Sequence, residues 1–338
     1  MKFCITGGGT GGHLSIAEAL CSSAITRGHE VVFIGSTNGQ DRAWFGEHSG
    51  FSHTYFLETS GVVNKKGAAK VKALYHIFKA VLESRRIFKR HKIQAVISVG
   101  GFSAAPAAFA SVISGLPLFI HEQNAVVGRL NSVLRSRAKY FISAYEKDSP
   151  IKGYPVKELF FSSSRVREEL KTIIFLGGSQ GAKAINDLAL QTALSLKQKG
   201  INIIHQCGER DFKRVKEEYE KIGVEVELYS FTKDLNSLVS RADLAVSRAG
   251  ASTLWELCAN GLPAFFIPYP YAAGDHQFYN ANFIVKKNMG WCEREGEDLK
   301  EKLLDILDEP LQQKSEKLIE HSHKNVAEEM IKLFESAI

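Results

Sequence analysis

Apolar residues fall in short unbroken runs that end at glycine or at a polar turn, and longer segments with apolar residues at helical spacing lie between them. The first run, residues 2–6, stops at Gly7; residues 14–26 then place Ile16, Ala19, Leu20 and Ala24 on one helical face. Runs at 31–34, 95–99, 117–120 and 140–142 continue the series. The scheme restarts at 172–176, which runs into Gly177, and repeats at 201–205, 226–229, 244–246 and 264–267, with helical stretches at 184–197 and 300–307. Strands that are apolar along their whole length belong to parallel sheets covered by helices on both faces. The pattern therefore predicts an α/β chain with two Rossmann-like parallel-sheet domains facing a cleft. The polar, turn-rich stretch 146–157, with Pro150, Gly153 and Pro155, is the expected linker, and residues 325–338 read as a terminal helix.

A length of 338 residues suits two domains, and 44% hydrophobic with 24% charged residues is the balance of a globular protein, not a disordered one. No uninterrupted apolar stretch is long enough to span a bilayer, and the apolar start is too short for a signal peptide. Five scattered cysteines without a C-x-x-C pair argue for reduced thiols in the cytosol and against a disulfide framework or zinc site. The net charge of +6 hides an asymmetry: residues 1–157 carry 20 Lys+Arg against 9 Asp+Glu, and residues 158–338 carry 23 against 28. A basic half joined to an acidic half points the basic one at an anionic surface or polyanion.

Three glycine loops each follow a predicted strand: Gly7-Gly8-Gly9-Thr10-Gly11-Gly12-His13, Gly100-Gly101-Phe102-Ser103 and Gly177-Gly178-Ser179-Gln180-Gly181-Ala182. Glycine lets backbone approach a ligand closely, and the helix N-terminus beyond offers free N–H groups to an anion. Their recurrence after strands favours anion or sugar binding over plain tight turns. Gly7, Gly9 and Gly12 also match G-x-G-x-x-G, but the expected end of the second strand reads Gly35-Ser36-Thr37-Asn38, without the carboxylate that a dinucleotide ribose needs. That weakens an oxidoreductase or epimerase reading. No G-x-x-x-x-G-K-[ST] occurs, so a P-loop nucleotidase is disfavoured. A further strand-to-helix junction runs from Ser247 through Arg248, Ala249 and Gly250 to Ala251, Ser252, Thr253 and Leu254, with Glu256 about one turn into the helix, placed to accept from a ribose diol. Pro268 and Pro270 then lead to Asp275-His276-Gln277 and Asn280, a polar cluster of the kind that sugar hydroxyls require.

Taken together with His121-Glu122-Gln123-Asn124, these motifs in this order and spacing resemble the MurG family of peptidoglycan glycosyltransferases over essentially the whole chain. The resemblance implies a GT-B fold with an N-terminal acceptor and membrane-associated domain (1–154), a C-terminal UDP-GlcNAc-binding domain (155–324) and a final helix (325–338) returning to the first. It implies inverting transfer of GlcNAc from UDP-GlcNAc to the C4 hydroxyl of MurNAc in undecaprenyl-pyrophosphoryl-MurNAc-pentapeptide (lipid I), giving lipid II and UDP, at the cytoplasmic face of the bacterial inner membrane. Cell-wall synthesis proteins are possible partners on the same ground. The alternative is another GT-B enzyme using a different UDP-sugar or acceptor.

Residue by residue, Thr10, Gly11 and Gly12 match the family's first-loop donor contacts, and Asn124 its sugar-binding asparagine. Ser179 and Gln180 match the loop near the donor phosphates and sugar. Thr232 falls where the family makes a main-chain contact to uracil. Ala251, Ser252, Thr253 and Leu254 match the segment around diphosphate and ribose, with Glu256 on the ribose. Gln277 and Asn280 match contacts to GlcNAc hydroxyls. Lys157 stands where the family often has the arginine of Asn-Pro-Val-Arg; lysine keeps the charge and loses the bidentate fork.

Inverting transfer needs a base, stabilisation of an oxocarbenium-like centre and charge neutralisation on leaving UDP. His13, at the end of a glycine loop and of a residue type with an ordinary pKa of about 6.5, is the first candidate base; Glu122 is the second. Helix N-termini suffice for the diphosphate, and no Asp-x-Asp motif occurs, so no metal or other cofactor is expected. A membrane-facing segment is expected at 65–92, where ten Lys+Arg accompany one acid, Glu83. There Leu74, Tyr75, Phe78, Val81 and Leu82 lie at helical spacing beside Lys72, Lys79 and Arg85, as in an amphipathic helix on anionic lipid. A nucleic-acid binder is disfavoured, because the basic stretch lacks a stacking-aromatic pattern.

Overall fold

The computed structural model describes residues 1–47, 50–59, 61, 66–178 and 181–338. The chain divides into two compact units, Met1–Val156 with Asn325–Ile338, and Lys157–Lys324. The break falls after Val156, not after Tyr154. Tyr154 is buried with its ring edge-on to His121, 5.5 Å between centroids, which ties it to the first unit.

The first unit holds β1 (Lys2–Thr6), β2 (Glu30–Ser36), β3 (His53–Leu57), β4 (Ala95–Ser98), β5 (Leu118–Glu122) and β6 (Tyr140–Ser143). They form one parallel sheet in the order β3-β2-β1-β4-β5-β6. Both faces are buried, which is why the strands carry no polar alternation. Cys4, Val32, Ile34 and Val96 meet helices Gly67–His91 and Ala105–Ser114 through Val81, Phe88, Ala107 and Ala108. Their neighbours Phe3, Ile5, Phe33 and Phe119 point the other way and are fully buried. Phe334 of the C-terminal helix Val326–Glu335 stacks on Phe119 at 4.2 Å. Glu335 locks that helix down by accepting two bonds from Arg27, at 2.7 and 2.6 Å, and one from His29.

The second unit repeats the plan with β7 (Thr172–Leu176), β8 (Asn202–Gln206), β9 (Glu227–Tyr229), β10 (Leu244–Ser247), β11 (Ala264–Phe266) and β12 (Trp291–Cys292). The order is β12-β11-β10-β7-β8-β9, again parallel. Read from its own first strand, each sheet runs 3-2-1-4-5-6, so each chain path reverses between its first and fourth strands. Ligands in such sheets bind beyond the carboxyl ends of the strands at this reversal. The reversal lies between β1 and β4 in one unit and between β7 and β10 in the other.

The pattern of apolar runs missed β3 and β12. Every residue of β3 is at least partly exposed and β12 has only two residues, because both are sheet edges that lack the two-sided burial of the central strands.

Candidate active site

In the first unit the loop after β1 and the loop after β4 meet backbone to backbone. The Gly8 N–H donates to the Gly100 carbonyl at 3.2 Å. Gly101, at φ 80° and ψ 168°, occupies a region essentially closed to other residues, and a Cβ there would lie 2.2 Å from the Gly8 carbonyl oxygen. Asp41 fixes the first loop from behind: its buried carboxylate accepts from the Gly9 N–H and, at 2.8 Å, from the Ser36 N–H. Thr10 caps helix Gly11–Thr26 from an extended backbone and is exposed, with Gly11, Gly12 and His13 as the first three helical residues.

His13 faces Thr10 Oγ1 through Nδ1 at 2.9 Å. The Gln123 amide nitrogen lies 2.9 Å from His13 Nε2 and 3.3 Å from Nδ1, so it sits against the ring instead of in line with one lone pair. Gln123 is 7% exposed and was absent from the expected site. Its neighbour Glu122 is fully engaged within the chain. Oε1 accepts from the Asn124 N–H at 3.0 Å, and Oε2 accepts from the Gly128 N–H and the Asn131 amide, both at 2.9 Å. This carboxylate therefore shapes the loop that carries Asn124. His121 is buried, and burial, with the charge of His13 adding, pushes it down to about 3, so its ring is neutral.

In the second unit the loop after β7 and the turn after β10 flank the reversal point. Ser179 and Gln180 lie outside the described residues. Around them, the Gly177 N–H donates to the Gln206 carbonyl at 2.8 Å, and the Gln206 amide donates to the carbonyls of Gly178 (3.0 Å) and Ser230 (3.1 Å). Gln206 thus couples the loop after β7 to the segment after β9 that contains Thr232, whose hydroxyl accepts from the Asp234 N–H at 3.0 Å. Beneath the loop, Asn186 bridges the Cys207 carbonyl, Asp211 and His205. Burial holds His205 down to about 3, so it serves that network as a neutral ring.

After β10, Gly250 caps helix Ala251–Asn260, whose first turn presents Ala251, Ser252 and Thr253. Asn280, buried, donates to the Ala249 carbonyl at 3.1 Å, and Gln277 Oε1 accepts from the Tyr269 N–H at 2.9 Å, so both amides also shape their own loops. Arg248 donates to the Ile267 carbonyl at 3.0 Å and pairs with Glu295 at 2.6 Å. Ser252 donates to Glu256 at 3.0 Å. Burial raises the Glu256 carboxyl, opposed by that bond and by the charge of Lys157. Lys157 thus lies near enough to Glu256 to act on it, although 99 residues of sequence separate them. Leu254 is buried and packs inward.

The expected membrane segment is helix Gly67–His91. Val81 is buried, whereas Leu74, Tyr75 and Phe78 are 51%, 63% and 62% exposed, with Lys72 and Lys79 exposed beside them. Leu74 and Phe78 border an apolar groove of about 370 Å³ closed by Phe109 and Ile113. Among the described residues no helix is long and apolar enough to cross a membrane.

Residues 3–142 match the glycosyltransferase family 28 N-terminal domain, and residues 172–333 match its C-terminal domain. The chain belongs to glycosyltransferase family 28. Its relatives include a protein from Sulfurimonas denitrificans, 62% identical over 98% of this chain and 97% of that one. Another, from Wolinella succinogenes, is 53% identical over 98% of each. Both are named UDP-N-acetylglucosamine–N-acetylmuramyl-(pentapeptide) pyrophosphoryl-undecaprenol N-acetylglucosamine transferase. The crystal structure of Acinetobacter baumannii MurG superposes with a TM-score of 0.80 at 26% identity over 99% of both chains. A spinosyn rhamnosyltransferase complexed with thymidine diphosphate, at 14% identity and a TM-score of 0.61, shares the fold. The two parallel sheets of this family 28 chain are those of a GT-B enzyme.

Proposed function

We propose that this chain transfers GlcNAc from UDP-GlcNAc to the C4 hydroxyl of MurNAc in lipid I, with inversion, releasing UDP and forming lipid II. The observation that carries the reading is 62% identity over nearly the full length to a transferase of that name. The geometry supports a division of labour. In the second unit, the helix N-terminus at Gly250–Thr253 offers backbone N–H groups to a diphosphate. Glu256 and Lys157 lie beside that turn, and Gln277 and Asn280 brace the loops around the sugar. The uracil reading of Thr232 rests on its place beyond β9, linked through Gln206 to the loop after β7. UDP leaves with its charge met by N–H dipoles that are already in place, which is where preorganised electrostatics act most strongly.

In the first unit, Thr10, Gly11, Gly12 and Asn124 line the loops offered to the sugar being transferred and its acceptor. His13 is the general base of this reading: it removes the proton from the attacking hydroxyl as that oxygen bonds to the anomeric carbon and the bond to UDP breaks. Glu122 positions Asn124 instead of taking the proton. The exposed face of Leu74, Tyr75 and Phe78, flanked by Lys72 and Lys79, docks on an anionic bilayer as a peripheral contact at the cytoplasmic face of the inner membrane, where lipid I is presented.

The test is UDP release with UDP-GlcNAc and a short-chain lipid I analogue, with EDTA and with the acceptor omitted. Acceptor-dependent release and a product heavier by one GlcNAc support the proposal. Release with a soluble acceptor or with UDP-glucose, and none with the lipid I analogue, replaces it with another GT-B reaction.

A further inference from the structure

At the amino ends of β2 and β3, opposite the glycine loops, three side chains of metal-ligating type converge. Glu30 begins β2, His53 begins β3, and His91 ends helix Gly67–His91. His53 pairs in register with Val32, and Glu30 lies two residues before Val32, so the two-residue period of a strand puts Glu30 and His53 on the same face of the sheet. That face is the one the helix covers. A ligand atom from each of the three lies within 4.8 Å of the others. The His53 and His91 rings are 4.4 Å apart.

We propose that these residues bind a borderline divalent cation of the Zn(II), Co(II) or Ni(II) class. Two imidazoles and one carboxylate form an established zinc donor set, with a fourth position left for water. His91 has the supporting bond such ligands use: its Nε2 lies 2.7 Å from the Tyr55 hydroxyl, which fixes the ring and leaves Nδ1 to offer. His91 is 9% exposed, so its ring is held in place by the packing around it. The carbonyl end of the helix favours positive charge at this spot. Tetrahedral coordination at about 2.0–2.1 Å requires the ligand atoms to close in by up to about 1.5 Å, within the reach of the partly exposed Glu30 and exposed His53 side chains.

The competing groups are explicit. Lys2 Nζ pairs with Glu30 at 2.5 Å, the Ser52 hydroxyl reaches it at 3.5 Å, and Arg90 adds positive charge near His91. Lys2 is 40% exposed and can turn to solvent when a cation takes Glu30. The bound ion would tie the starts of two strands to the end of the helix, which bears the exposed apolar face.

The test uses the full chain stripped with EDTA, titrated with Zn(II) by calorimetry and with Co(II) by visible absorption. One site is expected, with the intense visible bands of four- or five-coordinate Co(II). His53→Ala and Glu30→Gln should abolish it, and Tyr55→Phe should weaken it roughly tenfold. Lys2→Gln should tighten it, because the internal competitor is gone; adventitious binding at other histidines would not respond to Lys2. No Zn(II) binding by the wild-type chain at micromolar to submillimolar metal overturns the proposal, as does the same affinity and Co(II) spectrum in His53→Ala.

Discussion

Replacing Glu122 by glutamine separates the two roles open to this carboxylate. The structure gives it three donors, two backbone N–H groups and the Asn131 amide. Hydrogen bonds to a charged acceptor contribute about 1.5–3 kcal/mol each. A glutamine has one oxygen, so its NH2 must point at a donor. The better orientation keeps the oxygen where Oε2 was, with two bonds, and turns the NH2 on the Asn124 N–H. That leaves the N–H unsatisfied at about 1–3 kcal/mol, and the two remaining bonds lose roughly half their strength with the charge. The expected cost is about 2.5–6 kcal/mol, concentrated in residues 123–131. Hydrogen exchange of that segment should rise steeply, and turnover should fall as Asn124 and Gln123 lose their placement. If Glu122→Gln instead leaves exchange and unfolding unchanged while turnover drops by about 10²–10⁴, Glu122 is the base and the present assignment is wrong.

Gly101→Ala must place a methyl 2.2 Å from the Gly8 oxygen at a backbone geometry that costs non-glycine residues about 1–3 kcal/mol, so turnover should fall at least tenfold; UDP binding by calorimetry should persist, because the loops read as holding its diphosphate, ribose and uracil belong to the other unit. Glu335 is held down to about 2, first by the Arg27 bonds and then, against the opposing effect of burial, by His29. Its folded value is depressed, so its stabilisation is full above the ordinary value of 4.5 and is lost as pH falls towards 2; exchange protection of residues 326–335 should decline across that window, and Glu335→Gln should remove the pH dependence at a cost of about 1–3 kcal/mol at neutral pH. Leu74→Ser with Phe78→Ser should reduce co-sedimentation with anionic vesicles and leave UDP-GlcNAc binding unchanged; sedimentation equal to wild type would assign the lipid contact elsewhere. Gln123→Ala should lower turnover by roughly 3–10-fold through loss of the amide's packing against the His13 ring, about 1 kcal/mol, with no change in UDP binding.

The order of apolar runs and glycine loops by itself determined two parallel α/β sheets. Strands buried on both faces cannot alternate, and each loop had to follow the strand that feeds it. The same local logic marked Thr10, His13 and the Ser247–Gly250 turn, because a strand end and a helix start are adjacent in sequence. It missed β3 and β12, since edge strands are exposed and carry mixed residues. It also missed what lies behind the loops. Nothing near Asp41 says that its carboxylate holds Gly9, 32 residues away, or that Gln206 holds Gly178, 28 residues away. Nor could spacing tell that Val81 turns inward while Phe78 stays out, or that Glu122, one residue from Gln123, spends its charge on its own loop. Those facts depend on which elements the sheet brings side by side. A buried donor or acceptor must find a partner wherever the fold places one, and only the tertiary structure decides which residue that is.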